Sequence, residues 1–175
     1  MKLNVKIRSI VYAGILAAIY AGLTILLSFM SYGPIQFRIA EALTVLPYFS
    51  PFAIAGLTIG CLLSSLIASP YAWMDILFGS LATFLGATIT WLLSKKKNKI
   101  TFWLAPLPTV LSNMFIVGAV LTAYSVLNGQ INQSGLIIAY LYNISTIGLG
   151  EIVCCYGLGI PVMYFVKNNR KYLPF

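Results

Sequence analysis

The chain has 175 residues, 60% of them hydrophobic and 8% charged, and its mean hydropathy is +0.93. A soluble domain carries about 25% charged residues, and no water-soluble fold of this length can hide so much apolar surface. The sequence therefore reads as a polytopic membrane protein, with one domain filling residues 1–175.

The net charge of +8 comes from eleven basic and three acidic residues. The cations form three clusters: Lys2, Lys6 and Arg8; Lys95, Lys96, Lys97 and Lys99; and Lys167, Arg170 and Lys171. Each cluster flanks an apolar segment, the pattern of orientation signals that stay on the cytoplasmic side, and not of a nucleic-acid footprint. Arg38 is the one basic residue outside them.

Segment one runs from about Ser9 to Met30, long enough to cross a bilayer core that needs about 20 residues. It is too long for a signal-peptide core and more apolar segments come after it, so it is expected to be retained. Within it Ala13, Ala17 and Ala21 recur every fourth residue beside Gly14, Ala18 and Gly22. These rows make one face of small residues that lets another helix approach closely. Spacing favours packing inside the chain over docking of a partner subunit.

Next comes Gly33-Pro34-Ile35-Gln36-Phe37-Arg38-Ile39-Ala40-Glu41-Ala42-Leu43. It sets Arg38 and Glu41 at i and i+3, where they reach one another on a helix. A charge in lipid costs about 2.5–3.5 kcal/mol on insertion scales, so this pair reads as a structural ion pair, a substrate contact, or both. Segment two, about Phe37 to Phe49, is short for a perpendicular span and is expected to be tilted, extended into its flanks, or partly re-entrant. Segment three, about Phe52 to Ala68, carries Gly56 and Gly60 four residues apart.

The loop after it holds Tyr71, Trp73 and Asp75. The aromatic pair suits an interfacial belt, and Asp75 opens segment four, about Asp75 to Leu93, as a helix N-cap or a ligand contact. Segment five, about Trp103 to Leu127, has Pro106 and Pro108 near its start, where proline is tolerated, and a buried polar Asn113 that bonds another helix or a ligand. The apolar stretch from Leu136 to Val166 exceeds one ordinary span. It reads as an interfacial portion followed by segment six from about Tyr142, with Asn143 and the intramembrane carboxylate Glu151. Such carboxylates are functional candidates by default. The Asn143-Ile144-Ser145 sequon is set down to chance.

If all three basic clusters are cytoplasmic, an even number of crossings separates them. Six helices with both ends inside satisfy this. Arg38, Glu41, Trp73, Asp75 and Asn143 then converge near the outer mouth, with Glu151 about two turns below Asn143.

The sequence holds no His, no phosphate-binding Gly-x-x-x-x-Gly-Lys-Ser/Thr loop and no nucleophile–base arrangement, which disfavours an ATPase or an intramembrane enzyme. Cys61, Cys154 and Cys155 lie in apolar runs without metal-ligand spacing and read as buried free thiols. No metal or cofactor is implied. No paired broken helices mark an inverted repeat, against a self-sufficient secondary transporter.

The stretch Tyr32 to Pro47, with its Gln-Phe-Arg-Ile-Ala-Glu-Ala-Leu core at Gln36 to Leu43, resembles the queuosine-precursor transporter family QueT, and the likeness extends over the whole chain. These are substrate-binding S components of energy-coupling factor (ECF) transporters, a branch of the ABC transporters. The resemblance implies the S-component fold, a bacterial cytoplasmic membrane location, and partnership with a transmembrane coupling subunit and two ATPase subunits. It implies capture of a 7-deazaguanine such as preQ1 or preQ0 outside the cell, then toppling in the membrane. The alanine pattern resembles the coupling-subunit docking face of that group, which turns the reading of Ala13, Ala17 and Ala21 toward docking. For such a substrate, Glu41 or Glu151 suits the guanine-like edge, Asp75 a cationic aminomethyl group, Asn113 or Asn143 a ring acceptor, and Tyr71, Trp73 or Tyr142 stacking. An S component for another vitamin-like molecule and a ligand-free structural subunit are the alternatives.

Overall fold

A computed structural model describes residues 5–33, 35–96 and 98–169. Lys2, Pro34, Lys97, Arg170 and Lys171 lie outside the described residues, as does the side chain of Lys6. Six longer helices organise the described residues: α1 (Val5–Leu26), α2 (Ile39–Tyr48), α3 (Phe52–Ala68), α4 (Asp75–Ser94), α5 (Lys99–Leu127) and α6 (Leu136–Asn168). Four of them, α1, α4, α5 and α6, are long and apolar enough to cross a membrane, while α2 and α3 are shorter apolar helices.

Segment two is the chief surprise. It is a ten-residue 3-10 helix, with Ala40, Glu41, Ala42, Thr44, Val45, Leu46 and Pro47 all buried. Such helices rise about 2.0 Å per residue, so ten residues reach about 20 Å, a third further than an α-helix of the same length. α2 packs against α1, α3, α4 and α6. The outer helices are arranged in sequence around it, α1 on α3, α3 on α4, α4 on α5 and α5 on α6. A groove of about 240 Å³ lies between α1 and α6, walled by Tyr12, Leu16 and Ile19 against Val162, Phe165 and Val166.

α1 and α3 meet through backbone. A Cβ on Gly56 would stand 2.6 Å from the Ala13 carbonyl oxygen, and one on Gly60 would stand 2.8 Å from that of Ala17 and 2.9 Å from Tyr20 Cβ. Small residues on both helices are what allow this approach. Ala17 and Ala21 are buried by it, at 6% and 8% exposure. The row Ala13, Ala17, Ala21 expected to dock a partner is thus covered by α3 of the same chain. Gly14, Ala18 and Gly22 are the exposed row, with open space over Gly14 and Gly22.

Segment six also differs from expectation. The interfacial portion and the span expected from about Tyr142 are one continuous helix from Leu136 to Asn168, with a π-helical turn at Val153–Leu158. Its 33 residues reach about 50 Å, well beyond a hydrocarbon core of about 30 Å. α5 starts earlier than expected, with a short helix Lys99–Leu104 before the turn at residues 105 and 106. Pro108 sits in the first turn of the longer stretch Leu107–Leu127, as the sequence predicts.

The bundle has two unlike ends. Tyr71 packs edge-on against Tyr32 and Tyr124, with ring centroids 6.3 and 5.4 Å away, so the chain around Gly33, the loop before α4 and the end of α5 meet. At the other end Ser94, Lys99 and Lys167 line one cavity. α4 separates the two features by about 28 Å of helix.

Gly60→Leu should overpack the α1–α3 seam and cost roughly 1–3 kcal/mol or more, read as a lowered Tm in detergent. Gly157→Ala, where a Cβ meets nothing within 4 Å, should leave Tm within a degree or two of the parent.

Candidate functional site

All three acidic side chains of the molecule gather in one cluster, two of them beside Arg38. The guanidinium lies in the extended link before α2, with Nη1 3.8 Å from Glu41 Oε1 and Nη2 3.8 Å from Asp75 Oδ2. Its plane stands over the Tyr32 ring, 5.3 Å from the centroid, and Nη1 is 3.8 Å from Cys61 Sγ. Charge-assisted hydrogen bonds run about 2.7–2.9 Å, so both ion pairs are loose.

Each carboxylate is held by a different helix. Tyr20 on α1 donates its hydroxyl to Glu41 Oε1. Ser65 on α3 donates to Asp75 Oδ2 at 3.0 Å. Asn113 on α5 donates to Glu151 Oε1 at 2.8 Å, and the Cys155 thiol donates to Glu151 Oε2 at 3.3 Å. Cys155 also lies 3.6 Å from the Glu41 carbonyl oxygen, which ties α6 to α2. Through Cys155 the Glu151 half and the Glu41 half form one cluster.

The cluster is closed. Arg38, Glu41, Asp75, Asn113 and Glu151 are between 0% and 5% exposed. Yet Gln36 Nε2, Arg38 Nη2, Glu41 Oε2, Asp75 Oδ1 and Asn113 Oδ1 have no hydrogen-bond partner among the described residues. Leaving such a group unsatisfied costs about 1–3 kcal/mol, more when charged. The cluster holds three carboxyl groups and one guanidinium, which would leave two surplus negative charges were all of them ionised. A planar or cationic solute with several donors answers both imbalances; a purely apolar one answers neither.

The local fold explains why these residues meet. Gly150 lets the Gln36 backbone lie directly on α6, since a Cβ there would overlap the Gln36 carbonyl. This presses the chain before Arg38 into the bundle beside Glu151. Asp75 does not cap a helix, because a helical turn already begins at Ala72 and no side chain caps the π-helical turn Asp75–Gly79. Its carboxylate turns inward to Ser65 and Arg38 instead.

Of the residues singled out in the sequence, Arg38, Glu41, Asp75, Asn113 and Glu151 come together, and Tyr71 lies above them in the tyrosine layer. Trp73 and Tyr142 turn outward, 59% and 61% exposed, as interfacial aromatics do. Asn143 donates to Thr122 Oγ1 at 3.0 Å and joins α6 to α5 away from the cluster. The sequence does not single out Tyr20, Ser65 or Tyr124; it offers Tyr32 only as the start of the Tyr32 to Pro47 motif and Cys155 only as a buried free thiol, which it is. Tyr20 had a signal of sorts, a phenol among small residues in mid-span; Ser65 had none. Burial pushes the Tyr32 and Tyr71 phenols above the usual range, so both remain hydroxyl donors at neutral pH.

Removing the one buried cation should be severe. Arg38→Met leaves three carboxyl groups uncompensated and should cost about 3–5 kcal/mol, measured by thermal unfolding in detergent. Adding Asp75→Asn should recover part of that loss, because the second change removes a stranded charge.

Comparison with known proteins supplies the remaining constraint. The model of the family described as QueT transporter matches residues 10–168. The chain is 31% identical over 142 residues to the queuosine precursor transporter QueT of Lactococcus lactis subsp. cremoris (strain MG1363), covering 80% of this chain and 69% of that protein. No solved structure matches. These are transporters, not enzymes, and the apolar helices agree with a multi-pass membrane protein. The chain belongs to the QueT transporter family.

Proposed function

We propose that this chain is the substrate-binding S component of an ECF transporter and that it captures a queuosine precursor, a 7-deazaguanine, in the cluster around Arg38. The observation that carries this reading is the set of buried polar atoms without partners, in a cluster with three carboxyl groups to one guanidinium. The relative named as a queuosine precursor transporter supports the substrate class.

The excess of carboxyl groups over guanidinium favours an aminomethyl deazaguanine (preQ1), cationic near neutral pH, over its neutral nitrile counterpart (preQ0). In this reading Glu41 and Glu151 accept the adjacent N–H donors of the guanine-like edge, Asn113 meets a ring acceptor or donor, and Asp75 takes the ammonium group. Arg38 balances Asp75 while the site is empty and yields it when the ligand's cation arrives. Tyr32 and Tyr71 close over the base, where stacking is worth about 1–3 kcal/mol by analogy with other bases. Trp73, Tyr142 and Asn143 take no part. Entry requires the tyrosine layer to part from the link that carries Arg38.

Orientation comes from the basic end. Lys and Arg remain cytoplasmic, so the end with Lys99 and Lys167 faces inward and the tyrosine layer outward. Both termini are then cytoplasmic, and six crossings, with α2 and α3 the short ones, make a single domain in a bacterial cytoplasmic membrane. With no phosphate loop in the sequence, energy comes from outside the chain, from a coupling subunit and two ATPase subunits. The exposed row Gly14, Ala18 and Gly22 is the docking face in this reading, since the neighbouring alanine row is occupied by α3.

Purified protein should bind the aminomethyl base, seen as calorimetric heat and a raised Tm, at least about tenfold more tightly than the nitrile. Asp75→Asn should weaken the aminomethyl base about 10- to 100-fold, the worth of a hydrogen bond to a charged group, and erase the preference. Folded protein that binds no deazaguanine would overturn the substrate reading.

Ala18→Trp should block co-purification with the coupling subunit and spare ligand binding. Ala17→Trp should instead lower Tm, because Gly60 packs behind it. Intact co-purification of Ala18→Trp would remove the docking face.

A further inference from the structure

At the end of the bundle remote from the acidic cluster lies a cavity of about 610 Å³, walled by Tyr48, Phe102, Trp103 and Tyr164 and carrying Lys99 and Lys167. We propose that it binds the phosphate headgroup of an anionic phospholipid. The proposal does not rest on the identity of the transported solute.

The first support is charge. Every acidic side chain of the chain is committed to the Arg38 cluster, so no acidic side chain competes for Lys99 or Lys167. The Lys167 ammonium instead stands 5.4 Å from the centroid of the Phe102 ring. Nearby Lys95 rests over Trp91 at 4.2 Å in the same way. Ring faces hold a cation weakly at exposed sites and leave its hydrogens free for a phosphate oxygen.

The second support is the chemistry of the walls. The Tyr48 hydroxyl lies 3.3 Å from Thr101 Oγ1, and Thr101 donates to the Asn98 carbonyl at 2.8 Å and accepts from the Asn98 N–H at 3.1 Å. The lining's polar groups are thus partly spent on one another, and the two ammonium groups remain as point-charge donors. Free phosphate in water would be better served by more donors and fewer rings. A lipid headgroup brings its own apolar part. Trp103 and Tyr164 stand at the rim, 53% and 43% exposed, and continue into the outward-facing Leu104 and Phe165, a surface on which acyl chains can lie. Basic pockets between helices at the cytoplasmic level of a membrane are suited to such headgroups.

The test uses Trp103 as reporter, in the full chain carrying Trp73→Phe and Trp91→Phe, in mixed micelles at fixed ionic strength. Phosphatidylglycerol brominated on its acyl chains should quench Trp103 at about 30-fold lower mole fraction than brominated phosphatidylcholine, about fivefold for each lysine. Lys99→Gln with Lys167→Gln should abolish the preference at unchanged Tm, whereas Lys95→Gln with Lys96→Gln should largely keep it. Three results would overturn the proposal: equal quenching by the two lipids, a preference that survives loss of Lys99 and Lys167, or relief of quenching by millimolar inorganic phosphate as complete as by unbrominated phosphatidylglycerol. The last would reassign the cavity to a free anion.

Discussion

A single guanidinium buried between two carboxylates is the constraint on which the rest of the structure depends. Arg38 belongs to the link before α2, Glu41 to α2 itself and Asp75 to the start of α4. Fully buried charges are tolerated when they are paired and further hydrogen-bonded, and here the supporting bonds come from α1 through Tyr20 and α3 through Ser65. The central helix is therefore tied to its surroundings by polar contacts as well as packing. Apolar contact alone would leave its rotation loosely specified among side chains as apolar as lipid.

The balance is incomplete in a way that bears on transport. A cluster built for stability alone would match charges and satisfy its lone pairs, as buried polar networks do when they only rigidify a core. This one leaves a surplus of carboxylate and several atoms without partners. These atoms lie near the place where two connecting segments and the end of α5 meet in the tyrosine layer. That location is suited to opening, since few intrahelical bonds need break.

The two ends of the bundle divide the chemistry. One collects every acidic side chain around a single Arg; the other collects lysines among aromatic rings. The α1–α3 seam joins them with near-backbone contact. The groove between α1 and α6 is lined instead by larger side chains.

Composition and the spacing of apolar runs were enough to establish a helical membrane protein. The short motif around Arg38 and Glu41 was enough to mark its polar centre, because charges in lipid are too costly to be incidental. Asn113 and Glu151 were legible for the same reason. The sequence could not distinguish the two small-residue rows of α1, since both have the same period; which row faces α3 was decided by where Gly56 and Gly60 stand. Nor could it separate Trp73 and Tyr142, which face outward, from Tyr32 and Tyr124, which cover the cluster, because an aromatic suits lipid interface and interior alike. The 3-10 form of α2, the inward turn of Asp75 and the unbroken course of α6 were decided by tertiary packing, where neighbouring helices outweigh the modest local preferences of any one segment.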